Sequence, residues 1–174
     1  MDYMNRGTRP GEKLFIQPAL QALVIYDDPG CAAEARALLM QAAMRADAAL
    51  GWDVKPWRMD LLEQPALSEM ARGEAVGADV IVLSVSKTRA PTRKLMAWLE
   101  NWALQRQVQD AALVLLAGGR TAAMSFAARI KQFAAWHRLT ALYRVGAEPG
   151  ARLRKSTWPA RGVQFDVARS GSWD

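Results

Sequence analysis

Apolar positions along the chain form three uninterrupted runs, Ala22 to Tyr26, Val80 to Val85 and Ala112 to Ala117. Continuous rather than alternating apolarity fits strands covered on both faces, as in a parallel sheet. Two less apolar stretches, Asp53 to Arg58 and Thr140 to Val145, complete a set of five predicted strands. Pro56 places the first of these at a sheet edge, because proline has no N–H to give to a ladder.

Between the strands the pattern is helical. Residues 31–50 are rich in alanine, leucine, methionine, glutamate and arginine, which favour helix, and Gly51 follows where a helix stop belongs. Residues 64–76 predict a shorter helix with Pro65 in its first turn and Gly77 at its end, weakened by Gly73. In 91–106, Leu95, Trp98, Leu99 and Trp102 recur at three- and four-residue spacing and define one apolar face. A fourth helix is predicted over 121–137, where Phe126, Ile130 and Phe133 line one side. Strands alternating with helices predict an α/β domain with a parallel sheet over residues 20–146. Residues 1–19 read as an N-terminal extension and 147–174 as a basic, aromatic C-terminal extension. Trp158, Phe165 and Trp173 make the latter too apolar for a purely solvated tail, so it is expected to lie against the domain or a second subunit.

Composition narrows the class. A chain of 174 residues with 51% apolar content suits one domain with a sizeable core. No stretch approaches the roughly 20 apolar residues of a membrane span, and the N-terminus lacks the apolar region of a secretory signal, so a cytoplasmic protein without a membrane partner is expected. One cysteine and one histidine give neither an internal disulfide nor a structural zinc site. The net charge of +6 divides unevenly: residues 1–83 carry 8 basic and 12 acidic side chains and 84–174 carry 15 and 5, that is −4 and +10. A basic half attracts phosphates or acidic partners. Its charges are scattered over helices and tail rather than grouped in a nucleic-acid module, which argues against nucleic acid.

In open α/β sheets ligands sit beyond the carboxyl ends of the strands, where strand order reverses. Three loops qualify: Asp27 to Cys31, Ser84 to Pro91 and Ala117 to Thr121. The segment ADVIVLSVSKTRAPTRKLMAWLENW, residues 78–102, resembles the third-strand region of flavodoxins and NAD(P)H-dependent FMN reductases, in which an Ala-Asp pair and an apolar strand lead through a proline-containing loop into a helix. ALVLLAGGRTAAMSFAARIKQFAAW, residues 112–136, is similar to the fourth strand, Gly-Gly loop and following helix of the reductases. The resemblance covers roughly residues 20–145. It implies a flavodoxin-like, doubly wound, five-stranded sheet of order 2-1-3-4-5 in a three-layer α/β/α sandwich, and commonly a homo-oligomer. It also implies FMN, contacted by Asp28, Gly30 and Cys31 in the first loop, by Ser84, Ser86, Lys87, Thr88 and Arg89 in the second, and by Gly118, Gly119 and Thr121 in the third. A nicotinamide cofactor would supply the electrons, and no catalytic acid or base would be required.

The first loop departs from that family. No serine or threonine lies between Thr8 and Ser68, so the hydroxyls that hold a flavin phosphate are missing. Asp27 and Asp28 bring negative charge and Pro29 removes an amide donor. A phosphate there would depend on the Gly30 and Cys31 amides, with Lys87, Arg89 or Arg93 as compensation. The two acids read equally as a helix cap. They are also similar to the paired acids of response-regulator receivers, with Ser84 at the phosphoacceptor position. Serine cannot form an acyl phosphate, so that likeness implies only a degenerate receiver that binds a partner. Two functional readings follow. One is an FMN-binding, NAD(P)H-dependent oxidoreductase or electron-transfer protein. The other is a cofactor-free domain with an interaction or regulatory role and a protein partner.

Overall fold

The computed structural model describes residues 19–45, 51–86, 90–118, 120–145 and 154–156; of Ala19, 120–123, Val145 and 154–156 it describes the backbone alone. In chain order the elements are β1 (Ala19–Tyr26), α1 (Pro29–Arg45), β2 (Gly51–Arg58), a 3-10 helix (Met59–Glu63), α2 (Pro65–Ala75), β3 (Val80–Val85), α3 (Arg93–Gln105), β4 (Ala112–Ala117), α4 (Arg120–Trp136), β5 (Thr140–Val145) and β6 (Arg154–Ser156). The first five strands are parallel and lie in the order β2-β1-β3-β4-β5, the flavodoxin-like order. β6 adds to β5 antiparallel, so the C-terminal extension supplies a sixth strand that its polar sequence, Arg-Lys-Ser, does not announce. Pro56 is tolerated because β2 is an edge, as its chemistry demands.

The two faces of the sheet are covered unequally. Leu23, Ile25, Ile81, Leu83, Leu113 and Leu115 point toward α2, α3 and α4 and form the larger core with Leu95, Trp98, Leu99, Trp102, Phe126 and Ile130. Ala22, Val24, Val82, Val114 and Leu116 point the other way, where Ala35 and Leu39 of α1 meet them. The apolar face of α3 is therefore core. Its tryptophans also satisfy backbone: Trp98 Nε1 donates to the Ser68 carbonyl at 3.1 Å and Trp102 Nε1 to the Ala75 carbonyl at 2.9 Å, tying α3 to α2. Such a partner offsets the loss of water at a buried indole N–H, which unpaired costs about 1–3 kcal/mol.

Local chemistry sets the element ends. Thr92, in an extended conformation, caps α3 by accepting the Leu95 amide at 3.1 Å. The Ala78-Asp79 pair has a structural role at the opposite end of the sheet: Ala78 is buried, and the Asp79 carboxylate accepts the Gln21 amide at 2.8 Å. The Asp79 backbone accepts from Ala112 at 2.8 Å, so one residue joins the starts of β1, β3 and β4.

Candidate functional site

The carboxyl ends of β1, β3 and β4 meet at the switch point, where α1 departs to one face and α3 and α4 to the other. The parallel register places Arg58, Tyr26, Ser84, Leu116 and Arg144 in one row across five strands. Strand alternation puts that row on the α1 side. The loops beyond it are joined by backbone contacts: the Asp27 amide donates to the Ser84 carbonyl at 3.4 Å and the Gly118 amide to the Val85 carbonyl at 2.9 Å.

The first loop is closed by its own acids. Asp28 precedes α1, and its Oδ1 accepts the Gly30 N–H at 2.9 Å while its carbonyl accepts the Cys31 N–H at 2.9 Å. This is an N-cap, and it occupies an amide of the kind that holds anions at helix starts. A Cβ at Gly30 would stand 3.2 Å from that Asp28 oxygen, so glycine suits the tight wrap of the carboxylate around the helix start. Asp27 reaches across the cleft. Its Oδ1 accepts the Ser86 N–H at 2.9 Å and lies 3.5 Å from the Ser86 hydroxyl, which cross-links the first and second loops.

Ser84 and Ser86 share strand parity but differ in depth. Ser84 is buried at 1% exposure, and its hydroxyl donates to the Cys31 carbonyl at 2.9 Å, fastening the first turn of α1 to β3. Ser86 stands at the loop mouth with Asp27. Cys31 is half-buried beside them. Burial raises its thiol pKa; a hydrogen bond with Ser86 opposes this, and the charges of Asp27, Asp28 and Glu34 reinforce it. The thiol is therefore held in its neutral, weakly nucleophilic form.

Of the eleven sequence-selected positions, Asp28, Gly30, Cys31, Ser84, Ser86 and Gly118 are brought to this end of the sheet. Thr121 lies in the first turn of α4, with only its backbone described. Lys87, Thr88, Arg89 and Gly119 lie outside the described residues. Arg93 is exposed at the start of α3, and Lys94 pairs with Glu63 at 3.3 Å. A Cβ at Gly118 would meet Ser86 no closer than 3.7 Å, an ordinary contact, so space alone does not require glycine there.

The sequence reading missed the ion pair between Glu34 on α1 and Arg144 on β5. Arg144 is largely buried, and the partners are 110 residues apart. Only the parity of β5 signals it, because Arg144 shares its face with Leu142. Among the described residues, no three acidic, histidine or cysteine side chains are placed to hold a metal ion. Among the same residues no helix is long and apolar enough to cross a membrane. No family model, curated protein or solved structure matches the chain.

Proposed function

We propose that this protein is an interaction or regulatory module on a flavodoxin-like sheet, with its own carboxylates standing where the family holds a cofactor phosphate. The observation that carries this reading is the pair of carboxylate–amide bonds at the switch point, Asp28 to Gly30 and Asp27 to Ser86, each 2.9 Å long. The first uses a backbone donor that a phosphate would need, and the second brings another carboxylate to the same end of the sheet. An entering phosphate would have to displace the carboxylates and remain beside them. Each pair of like unit charges at 4 Å costs about 4 kcal/mol at an effective dielectric of about 20. Partner binding then falls to the protein surface rather than to a buried cofactor.

The alternative is an FMN-binding, NAD(P)H-dependent oxidoreductase. It is supported by the strand order and by the meeting of the three loops at one switch point. Fold alone does not choose between the two. An absorption spectrum of protein purified after FMN supplementation does. The proposal expects no flavin bands after gel filtration, and stoichiometric flavin carried through the column would overturn it.

A further inference from the structure

We propose that the outer edge of β2 pairs with β2 of a second copy of this chain, antiparallel and about a two-fold axis at Val54. Among the described residues β1 is the only strand beside β2, so the other edge of β2 is open. The direction of its backbone groups follows from β1. Gln21 O accepts the Asp79 amide at 2.9 Å and the Asp27 amide donates to Ser84 O at 3.4 Å, so the odd-numbered residues of β1 bond toward β3. Direction alternates along a strand. Ala22 and Val24 therefore bond toward β2, where the parallel register offers them Asp53, Lys55 and Trp57. Trp52, Val54 and Pro56 turn their backbone groups outward, and the N–H that Pro56 lacks is one that β1 does not need.

Charge selects a second copy as the occupant and fixes the register. Asp53 and Lys55 flank Val54 and share one face of the sheet. With the axis through Val54, each Asp53 stands opposite the Lys55 of the other copy and each Trp52 opposite Pro56. The two Val54 residues exchange both their hydrogen bonds, and each Trp52 amide meets the opposite Pro56 carbonyl. Moving the axis by one residue sets Asp53 against Asp53 or Lys55 against Lys55, which is destabilising.

The exposed side of α1 converges on the same axis. The helix packs on β2, β1 and β3, which centres it over β1, and Glu34 on one flank reaches Arg144 of β5. At roughly 100° per residue, Met40 lies about 120° from the buried Ala35–Leu39 line on the opposite flank, toward the β2 edge. Its height follows from Cys31, whose carbonyl accepts the Ser84 hydroxyl at 2.9 Å, level with Tyr26 and Arg58. From Cys31 to Met40 the helix descends about 13 Å, roughly four strand residues, which brings Met40 level with Val54. Met40 is 52% exposed and Met44, one turn further, 81%. In the pair the two α1 helices stand about 14 Å apart, and the facing methionines reach into the space between them. Pairing here uses no residue of the switch point and is compatible with either reading of that site.

Sedimentation velocity on the full-length chain at micromolar concentration should show a dimer. Asp53→Lys and Lys55→Asp each turn both attractive contacts across the axis into repulsive ones and should weaken the dimer by at least about tenfold. The two substitutions together restore opposite charges and should restore the dimer. In a Cys31→Ser background, Val54→Cys places two cysteines across the axis at about 5.5 Å between Cα atoms, and mild oxidation should yield a covalent dimer. A parent that stays monomeric would overturn the proposal; a segment of the same chain lying on β2 would give that result. So would single variants that dimerise as the parent does, a double exchange that fails to rescue, or cysteines that do not join.

Discussion

One carboxylate at the start of α1 determines both the stability of that helix and the charge that an incoming ligand meets. Asp28 caps the helix through Gly30, and its charge faces the positive end of the helix dipole. Asp28→Ala removes both effects, and a loss of about 0.5–2 kcal/mol is expected from urea unfolding. Asp28→Ser keeps a capping oxygen and discards the charge, so it should unfold close to the parent. The serine variant also tests the electrostatic account of the loop. FMN titrated against it should bind more tightly than against the parent if charge excludes the phosphate, and equal affinities would refute that account. The adjacent acids were legible in the sequence as a cap or a ligand contact. Their partners were not, because the Asp27–Ser86 bond joins residues 59 positions apart and exists only once β1 and β3 are paired.

At the scale of elements, the end of α4 holds a residue that its sequence does not favour there. Arg138 has φ 55°, in the left-handed region, and the chain closes around it with Leu139 N–H donating to Ala134 O at 2.8 Å and Arg138 N–H to Ala135 O at 3.3 Å. That pattern usually places glycine at the left-handed position. Arg138→Gly should therefore stabilise the protein by about 1 kcal/mol, the order of the penalty for a side chain in this conformation, read from the shift in thermal midpoint. Where sequence and structure agree, the signal was local. Val80–Val85, Ala112–Ala117 and Thr140–Val145 have the predicted limits because apolar runs end in polar or glycine-containing loops. Where they differ, tertiary pairing decided. β1 and β2 begin earlier than their apolar stretches because Ala19 and Gly51 are in register with each other. β6 has no apolar pattern and is a strand only through its pairing with β5.

Across the whole molecule, the sheet order places ligand-class loops at one end and helix-to-helix ties at the other, and the second end is expected to contribute to the response to acid through His137. There Arg106 at the end of α3 donates through Nη2 to the His137 carbonyl at 2.9 Å and through Nη1 to the Ala103 carbonyl. The His137 ring lies 4.5 Å from that of Phe133. Burial lowers the His137 pKa from 6.5; Glu100 opposes the shift and Arg106 adds to it. A histidine with a depressed native pKa takes up its proton more readily when unfolded. Its contribution to stability is therefore complete above pH 6.5 and is lost as pH falls through the lower, native value. The urea midpoint of the parent should fall between about pH 7 and pH 5, and His137→Gln, which cannot titrate, should lose less over the same interval. Parallel curves would show that acid sensitivity arises elsewhere. A steeper fall in the parent would assign it to the junction where α3 and α4 meet, remote from the carboxylates at the switch point.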